Sequence, residues 1–232
     1  MSRSAIFLRT LLLTTSALAA IFGWYQLFRF AATPGEQSAA PARLPQNWAQ
    51  SPSGAAENSL LHPVARSNSP LLLVFIHPQC SCTHATLDEL DQILHDPIPH
   101  DPIRDAAGNT RLASTQLAST QIVLAVYHSP TLDRSPGLAA FTPATWLHAP
   151  FRLLTDTGGR LARRFGAATS GEIVLYAADG HLLFQGGITP ERAHVGASPA
   201  SAALRAALLH GTPQTRGFSV FGCSIFNPQR AE

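Results

Sequence analysis

Two of the three cysteines in this 232-residue chain, Cys80 and Cys82, are separated by a single residue. They follow an apolar run, Leu71–Ile76, and open a segment with helical spacing. The unpaired N–H groups and the dipole at a helix N-terminus favour a thiolate, which is the attacking species in disulfide exchange. We therefore expect both cysteines to be catalytic. With only Ser81 between them, a disulfide joining them would be strained and easily reduced.

Metal binding is the alternative chemistry for this segment. Cys80, Cys82 and His84 lie within eight residues of the chain together with His77, and thiolate plus imidazole suits Cu(I) or zinc. Consecutive ligands on a forming helix seldom converge without a ligand from elsewhere. The sequence therefore predicts no cofactor, with copper held by Cys80, Cys82 and His84 as the alternative. Two inert buried cysteines are the remaining interpretation.

Two later segments hold further candidate residues. Cys223 lies in an apolar stretch after the last predicted helix. It is either a buried core residue on an added strand, or a resolving thiol or third soft ligand near Cys80. The loop Gly186–Gly196 begins with two glycines, which allow close backbone approach. In this loop Arg192 and His194 could stabilise a thiolate or bind an anionic group of a partner, or simply lie on the surface.

The N-terminus has the character of a membrane anchor. Residues 10–28 carry no charge and as a helix would span about 28 Å, close to the hydrocarbon thickness of a bilayer. Arg3 and Arg9 favour a cytoplasmic N-terminus. We expect residues 1–9 in the cytoplasm, residues 10–28 in the inner (cytoplasmic) membrane as a single span, and the rest on the extracytoplasmic, periplasmic side. A cleaved signal peptide is the alternative.

A tether and an alternating domain follow the anchor. Residues 29–69 are rich in proline, alanine and serine, which predicts a flexible tether. Beyond it, apolar runs and helical spacing alternate, which predicts an α/β domain over 70–226 with a tail at 227–232. Asp179-Gly180 is a strong hairpin signal. The predicted strands are 71–76, 122–127, 151–154, 172–177 and 181–185. The predicted helices are 83–94, 158–165 and 198–210, with an irregular region over 96–120 and room for a short helix within 129–150.

The composition excludes several classes of protein. A net charge of +2 and 13% charged residues give no basic face for nucleic acid and no acidic disordered chain. All basic residues other than histidine are arginines, so a Schiff-base lysine and a P-loop are both excluded.

Together these motifs resemble membrane-anchored thioredoxin-like proteins. The segment 75–82 looks like their active-site segment, in which a strand, an aromatic residue, a cysteine pair and a helix follow in order. Segments 151–156, 161–166 and 173–180 are similar to the second half of extracytoplasmic reductases of this superfamily. More narrowly, the anchor and segments 32–35, 186–189, 192–196 and 220–223 resemble the group labelled RedB. The resemblance covers about residues 70–226.

The resemblance implies a thioredoxin-like fold, with a central mixed sheet flanked by helices, and a reactive thiol exposed at the first helix of the domain. Cys80 matches the family's attacking cysteine, whereas Thr83 stands where the resolving cysteine is usual and Cys82 comes one residue earlier. Gly171, after Ser170, stands where the family has a cis-proline facing the thiol. The residues expected to bind substrate or to surround the thiols are His77, Pro78, Ser81, Thr83, Ser170, Gly171, Arg192 and His194.

Three functions follow from this comparison. The first is a thiol-disulfide oxidoreductase acting on the thiols or disulfides of exported proteins, with Cys80 attacking and Cys82 resolving. The second is a Cu(I)-binding assembly factor of the Sco type, and the third is a non-catalytic interaction module. A peroxidase is less favoured, because His77 stands where peroxiredoxins carry a threonine.

Overall fold

The computed structural model describes most of the chain and divides it into two compact units, Met1–Thr33 and Pro34–Glu232. The predicted tail, the possible short helix within 129–150 and most of the predicted tether lie outside the described residues. The described residues are 3–46, 48, 69–95, 102–104, 110–112, 119–129, 151–214 and 217–226.

The first unit is a single helix, α1 (Arg3–Ala32). Its apolar part, Ile6–Ala32, is long and apolar enough to cross a membrane and contains the predicted span 10–28. A signal sequence near the N-terminus passes the same test of length and composition. The large apolar side chains of α1 are exposed on all sides, as expected for a helix whose surroundings are apolar.

The core of the second unit is a mixed sheet whose strands are β1 (Leu71–Ile76), β4 (Gln121–His128), β5 (Phe151–Thr157), β6 (Glu172–Tyr176) and β7 (Leu182–Gly186). Among the described residues their order across the sheet is β5-β4-β1-β6-β7. The central strand β1 pairs in parallel with β4 and antiparallel with β6, and every one of its residues is buried. Burial on both faces accounts for its unbroken apolar run. Within the predicted irregular region, β2 (Pro102–Arg104) and β3 (Thr110–Leu112) form a separate antiparallel pair.

Helices cover both faces of this sheet. On one face, α2 (Cys82–His95) and α4 (Pro199–His210) bury residues such as Leu90 and Leu204 against the sheet. The short helix α3 (Arg160–Arg164) buries Ala162 on the opposite face. The β1-α2-β4 crossover, the β6-β7 hairpin and the closing helix α4 give the predicted α/β, thioredoxin-like fold.

The N-terminal strap, which we define as residues 34–46, also covers the face that carries α3. Its Ala40 N–H donates to Gln185 Oε1 at 2.8 Å, and its Leu44 N–H donates to the Gly180 carbonyl at 2.7 Å. The Tyr176 hydroxyl donates to the Pro41 carbonyl at 2.9 Å. This part of the predicted 29–69 tether is therefore packed against the domain, because its backbone N–H and carbonyl groups form hydrogen bonds with the sheet and its loops. Residues 29–32 belong to α1.

Candidate functional site

Three thiols from two distant parts of the sequence meet at one end of β1. The sulfur atoms of Cys80, Cys82 and Cys223 all lie within 4.8 Å of one another, and all three cysteines are free. Cys80 and Cys82 are buried, whereas Cys223 is half-buried. We call these three side chains the cysteine cluster.

The turn between β1 and α2 places the first two thiols. After Ile76 the chain turns, and the Cys80 N–H donates to the His77 carbonyl at 3.0 Å. Cys82 is the first residue of α2, and the Thr83 N–H donates to the Cys80 carbonyl at 3.0 Å. The two cysteines therefore lie at a helix N-terminus, where backbone N–H groups without helical partners are available to a sulfur.

The third thiol comes from the C-terminal segment, defined here as residues 217–226. The Ser170 N–H donates to the Cys223 carbonyl, and the Ile225 N–H donates to the Ala168 carbonyl, both at 2.8 Å. Ile225 is buried in the core on the strap side of the sheet. These contacts place the Cys223 N–H 3.3 Å from Cys80 Sγ, to which it donates. The added strand considered for this segment is reduced to two isolated bridges, between Thr169 and Ser224 and between Gly186 and Phe218.

The path of the C-terminal segment depends on Gly222. A Cβ at this position would collide with the Ser170 carbonyl oxygen. The Arg192 guanidinium donates a hydrogen bond to the Gly222 carbonyl. Arg192 therefore contacts the backbone that carries Cys223.

Hydrogen bonds within the cluster concentrate negative charge on Cys80. The thiols of Cys223 and Cys82, followed by the backbone N–H groups of the same two residues, hold the pKa of Cys80 far below its ordinary value despite its burial. Hydrogen bonds to Cys80 and Cys82, together with burial, raise the pKa of Cys223. A hydrogen bond with Cys223 lowers the pKa of Cys82, but its hydrogen bond to Cys80 and its burial raise that pKa overall. The reduced cluster is thus a thiolate with two thiol donors.

Ser170 and Thr83 form a small hydroxyl network beneath the cluster. Ser170 Oγ accepts a hydrogen bond from the His77 N–H at 2.8 Å and lies 2.9 Å from Thr83 Oγ1. Both hydroxyl groups are buried. The residue at the usual position of a resolving cysteine thus fixes the turn that carries Cys80.

Gly171 stands where the sequence resemblance matches it to a cis-proline of thioredoxins. Its φ is +92°, which proline cannot adopt, since the proline ring holds φ near −65°. A Cβ at Gly171 would also lie 2.7 Å from Thr86 Oγ1. Its N–H donates to the Phe75 carbonyl at 2.8 Å, so the start of β6 stays paired with β1.

The other residues predicted around the thiols differ in burial: His77 and Pro78 are half-buried, whereas Ser81 and His84 are exposed. His77 is half-buried and stacks on Tyr127 with ring centroids 5.4 Å apart. Burial lowers the pKa of His77, and the charge of Cys80 opposes that shift. Pro78 is half-buried in the turn, whereas Ser81 is exposed. His84 is exposed and is not part of the three-sulfur group found among the described residues.

In the loop before α4, the contact with the cluster comes from Ala193. Its backbone N–H donates a hydrogen bond to Cys82, and its φ of +56° is uncommon for a residue other than glycine. The neighbouring His194 ring is exposed and has its Nδ1 3.5 Å from Glu191 Oε1, with which it forms an ion pair when protonated. Sequence reasoning missed Ala193, because an alanine side chain gives no sign that its backbone serves as a donor.

Sequence reasoning also missed Glu172, a fully buried carboxyl group at the start of β6. Gln185 Nε2 donates to Glu172 Oε1 at 2.8 Å, while Oε2 has no hydrogen-bond partner within the described part of the chain. Gln185 Nε2 also donates to the Ser38 carbonyl of the N-terminal strap at 2.6 Å. Burial raises the pKa of Glu172 to about 7. In the sequence, a glutamate at the first position of a strand is typical of an exposed residue.

No protein-family model matches this chain, and no curated protein matches it. Among solved structures, it is similar to an uncharacterized conserved protein of Geobacillus kaustophilus, with 19% identity, a TM-score of 0.50 and coverage of 86% of this chain and 95% of that one. A hypothetical protein of Sinorhizobium meliloti matches with 18% identity, a TM-score of 0.47 and coverage of 85% and 96%. A secreted Mycobacterium tuberculosis disulfide oxidoreductase homologous to Escherichia coli DsbE matches with 17% identity, a TM-score of 0.38 and coverage of 62% and 84%. At such identities a likeness concerns the fold alone.

Proposed function

We propose that this protein is a membrane-anchored, extracytoplasmic thiol-disulfide oxidoreductase in which Cys80 attacks and Cys223 resolves. The observation that carries the proposal is the convergence of three free thiols within 4.8 Å, with the negative charge held on Cys80. A stabilised thiolate next to a second thiol is the arrangement that disulfide exchange requires.

The reaction transfers two electrons to a substrate disulfide. The Cys80 thiolate attacks one substrate sulfur, so that the substrate S–S bond breaks and a mixed disulfide with Cys80 forms. The first substrate thiolate leaves and takes a proton from solvent. Cys223 then loses its proton to solvent and attacks Cys80 Sγ, which forms the Cys80–Cys223 disulfide and releases the second substrate thiolate, which is protonated in turn. A dithiol donor must reduce that disulfide before the next cycle.

Cys223 is favoured over Cys82 as the resolving thiol because of chain geometry. Cys80 and Cys82 are separated by one residue, so a bond between them would close a small, strained ring. Cys223 comes from a segment that is 143 residues away, and its N–H already contacts Cys80 Sγ. In this account Cys82 remains a thiol that donates to the Cys80 thiolate. The sequence-based assignment of Cys82 as the resolving thiol is the alternative that the experiment below must exclude.

The location and the partners belong to the same proposal. With α1 in the inner membrane and the positive N-terminus in the cytoplasm, the domain would meet exported proteins, whose thiols and disulfides are the substrates. Neither a cofactor nor nucleic acid takes part. Membership of the RedB group, like the location and the partners, is a prediction from the sequence.

The test is an exchange assay on the full chain in detergent micelles, with insulin disulfides as substrate and dithiothreitol as donor. Cys80→Ser should abolish catalysis, and Cys82→Ser should continue to turn over. Reduced Cys223→Ser, freed of dithiothreitol before insulin is added, should stop within the first turnover at a trapped mixed disulfide. The proposed pair is wrong if Cys82→Ser traps the mixed disulfide while Cys223→Ser turns over. Full activity of Cys80→Ser would reject the enzyme and favour the non-catalytic module.

A further inference from the structure

We infer that the reduced cysteine cluster is a Cu(I) site in which Cys80, Cys82 and Cys223 are all ligands. This goes beyond the proposed exchange reaction, which forms a disulfide between only two of these thiols. The observation behind it is that three sulfur atoms, each a soft donor, already lie within 4.8 Å of one another.

The size of the sulfur triangle fits a metal ion. Metal–thiolate bonds are about 2.3 Å long, so three sulfurs around one ion in a plane lie about 4 Å apart. The observed separations, all within 4.8 Å, reach that value through small side-chain rotations. The ligands also approach from separate backbone positions: the turn before α2, the first residue of α2 and the C-terminal segment. Cys223 therefore supplies the distant ligand that the Cys-Ser-Cys segment lacks.

The donor set favours Cu(I) over zinc. Thiolates select soft ions such as Cu(I) and zinc, but a structural zinc site needs four ligands. Within the described part of the chain, no histidine or carboxylate joins the three sulfurs. Cys80 and Cys82 are only 2% and 6% exposed, which leaves little access for water as a fourth ligand. Cu(I), which is stable with three sulfur ligands, therefore fits this buried site better than zinc does.

Copper binding and disulfide formation exclude each other at this site. Oxidation of Cys80 and Cys223 removes two electrons and two thiolate ligands together, so the oxidised protein cannot hold the ion. A bound Cu(I) ion in turn occupies the thiolate that attacks a substrate. The site therefore alternates between a copper-loaded reduced form and an oxidised form without copper.

The experiment is an anaerobic titration of the reduced full chain in detergent with Cu(I), in competition with bicinchoninate. We expect one ion per chain, and X-ray absorption should show three sulfur neighbours at about 2.3 Å. Cys82→Ser and Cys223→Ser should each weaken binding by more than about 100-fold, since losing an outer partner of a metal ligand alone costs about 10- to 100-fold. His84→Ala is the matched control and should bind as the wild type does.

The variants separate this inference from the proposed function. Cys82→Ser should lose copper while its circular-dichroism spectrum and its unfolding midpoint stay close to those of the wild type, so its loss of copper cannot come from misfolding. Exchange that proceeds while the wild type retains no copper overturns the copper site alone. Copper retention without exchange overturns the enzyme alone. Loss of binding in His84→Ala but not in Cys223→Ser would instead assign the set Cys80, Cys82 and His84. Tighter binding of Zn²⁺ than of Cu(I), or nitrogen and oxygen neighbours in the spectrum, would overturn the Cu(I) assignment.

Discussion

Cys80 and Glu172 are both buried acids, yet their pKa values are shifted in opposite directions. Cys80 contacts the C-terminal segment, whereas Glu172 lies beneath the N-terminal strap on the face of the sheet opposite α2. The pKa of Cys80 is lowered by hydrogen bonds from Cys223 and Cys82, whereas burial raises the pKa of Glu172 to about 7. The molecule therefore stabilises an anion at one of these sites and disfavours it at the other.

The difference lies in the number of donors, because both groups are buried. Cys80 receives hydrogen bonds from two thiols and two backbone N–H groups. Glu172 receives one side-chain hydrogen bond from Gln185 and a backbone hydrogen bond from Ala168, and its Oε2 lacks a partner among the described residues. Burial alone raises the pKa of an acid, whereas converging donors can reverse that shift. The donors, rather than the burial, identify the reactive site.

The largest expected effect concerns the acid dependence of alkylation at Cys80. Only the thiolate reacts, so a thiol with a pKa of about 8.5 loses reactivity on the order of 1000-fold between pH 8 and pH 5. Because the pKa of Cys80 lies far below that range, its rate should stay nearly constant. The Cys82→Ala/Cys223→Ala double variant lacks both side-chain donors, so its alkylation rate should fall more steeply toward pH 5. Iodoacetamide labelling followed by peptide mass spectrometry measures the Cys80 alkylation rate at each pH in both proteins. The same pH dependence in the two would show that the Cys82 and Cys223 thiols do not lower the pKa of Cys80.

Glu172→Gln should change how stability depends on pH. The folded pKa of about 7 lies above the ordinary value of 4.5, so wild-type stability falls as Glu172 ionises between about pH 4.5 and pH 7. Relative to the wild type, the variant should therefore gain about 3 kcal/mol in unfolding free energy from pH 4.5 to pH 8. Urea unfolding at both pH values measures this difference. A pH-independent difference would show that Glu172 titrates normally.

Gly222→Ala should disturb the cluster through the backbone. The added Cβ collides with the Ser170 carbonyl oxygen, so the C-terminal segment must shift, at a cost of about 1–3 kcal/mol. The shift should move Cys223 away from Cys80 and raise the pKa of Cys80. Gly217→Ala is the matched control, because its Cβ would lie 3.1 Å from the end of the flexible Gln37 side chain and at an ordinary 3.9 Å from the Gln185 carbonyl oxygen. Thermal unfolding and the alkylation profile should change in the first variant and not in the control.

The smallest effects are expected in the loop before α4, at Arg192 and His194. Arg192→Gln removes the guanidinium hydrogen bond to the Gly222 carbonyl, which should cost about 0.5–1.5 kcal/mol. His194→Ala should change stability little, because among the described residues its exposed ring pairs with Glu191 and the Arg192 carbonyl alone. Chemical denaturation compares the two. A larger loss for His194→Ala would contradict the contacts described for this loop.

Local signals were enough to predict the α/β class and the main strands and helices, whereas the thioredoxin-like arrangement came from the family resemblance. The apolar run Leu71–Ile76 lies in the centre of the sheet, and Asp179-Gly180 joins the hairpin strands as expected. Ser198 caps α4, where its side chain accepts a hydrogen bond from the Ser201 N–H. These features depend on neighbouring residues, so the sequence shows them directly.

The complete site depends on contacts between distant residues, which a single sequence does not show. The place of Cys223 follows from the passage of Gly222 against Ser170, and a hydrogen-bond donor to Cys82 comes from the backbone of Ala193. The packing of the N-terminal strap likewise depends on partners such as Gln185, 145 residues from Ala40. Composition suggested a tether for the strap, because its prolines and alanines carry no signal of such partners.

The most direct test of the account is to identify the disulfide formed by the oxidised protein. The reduced full chain is equilibrated in a glutathione redox buffer, quenched with acid, alkylated and mapped by peptide mass. We predict a bond between Cys80 and Cys223, with Cys82 recovered in alkylated form. A bond between Cys80 and Cys82 with Cys223 alkylated, or no bond within the chain at all, would contradict the assignment of Cys223 as the resolving thiol.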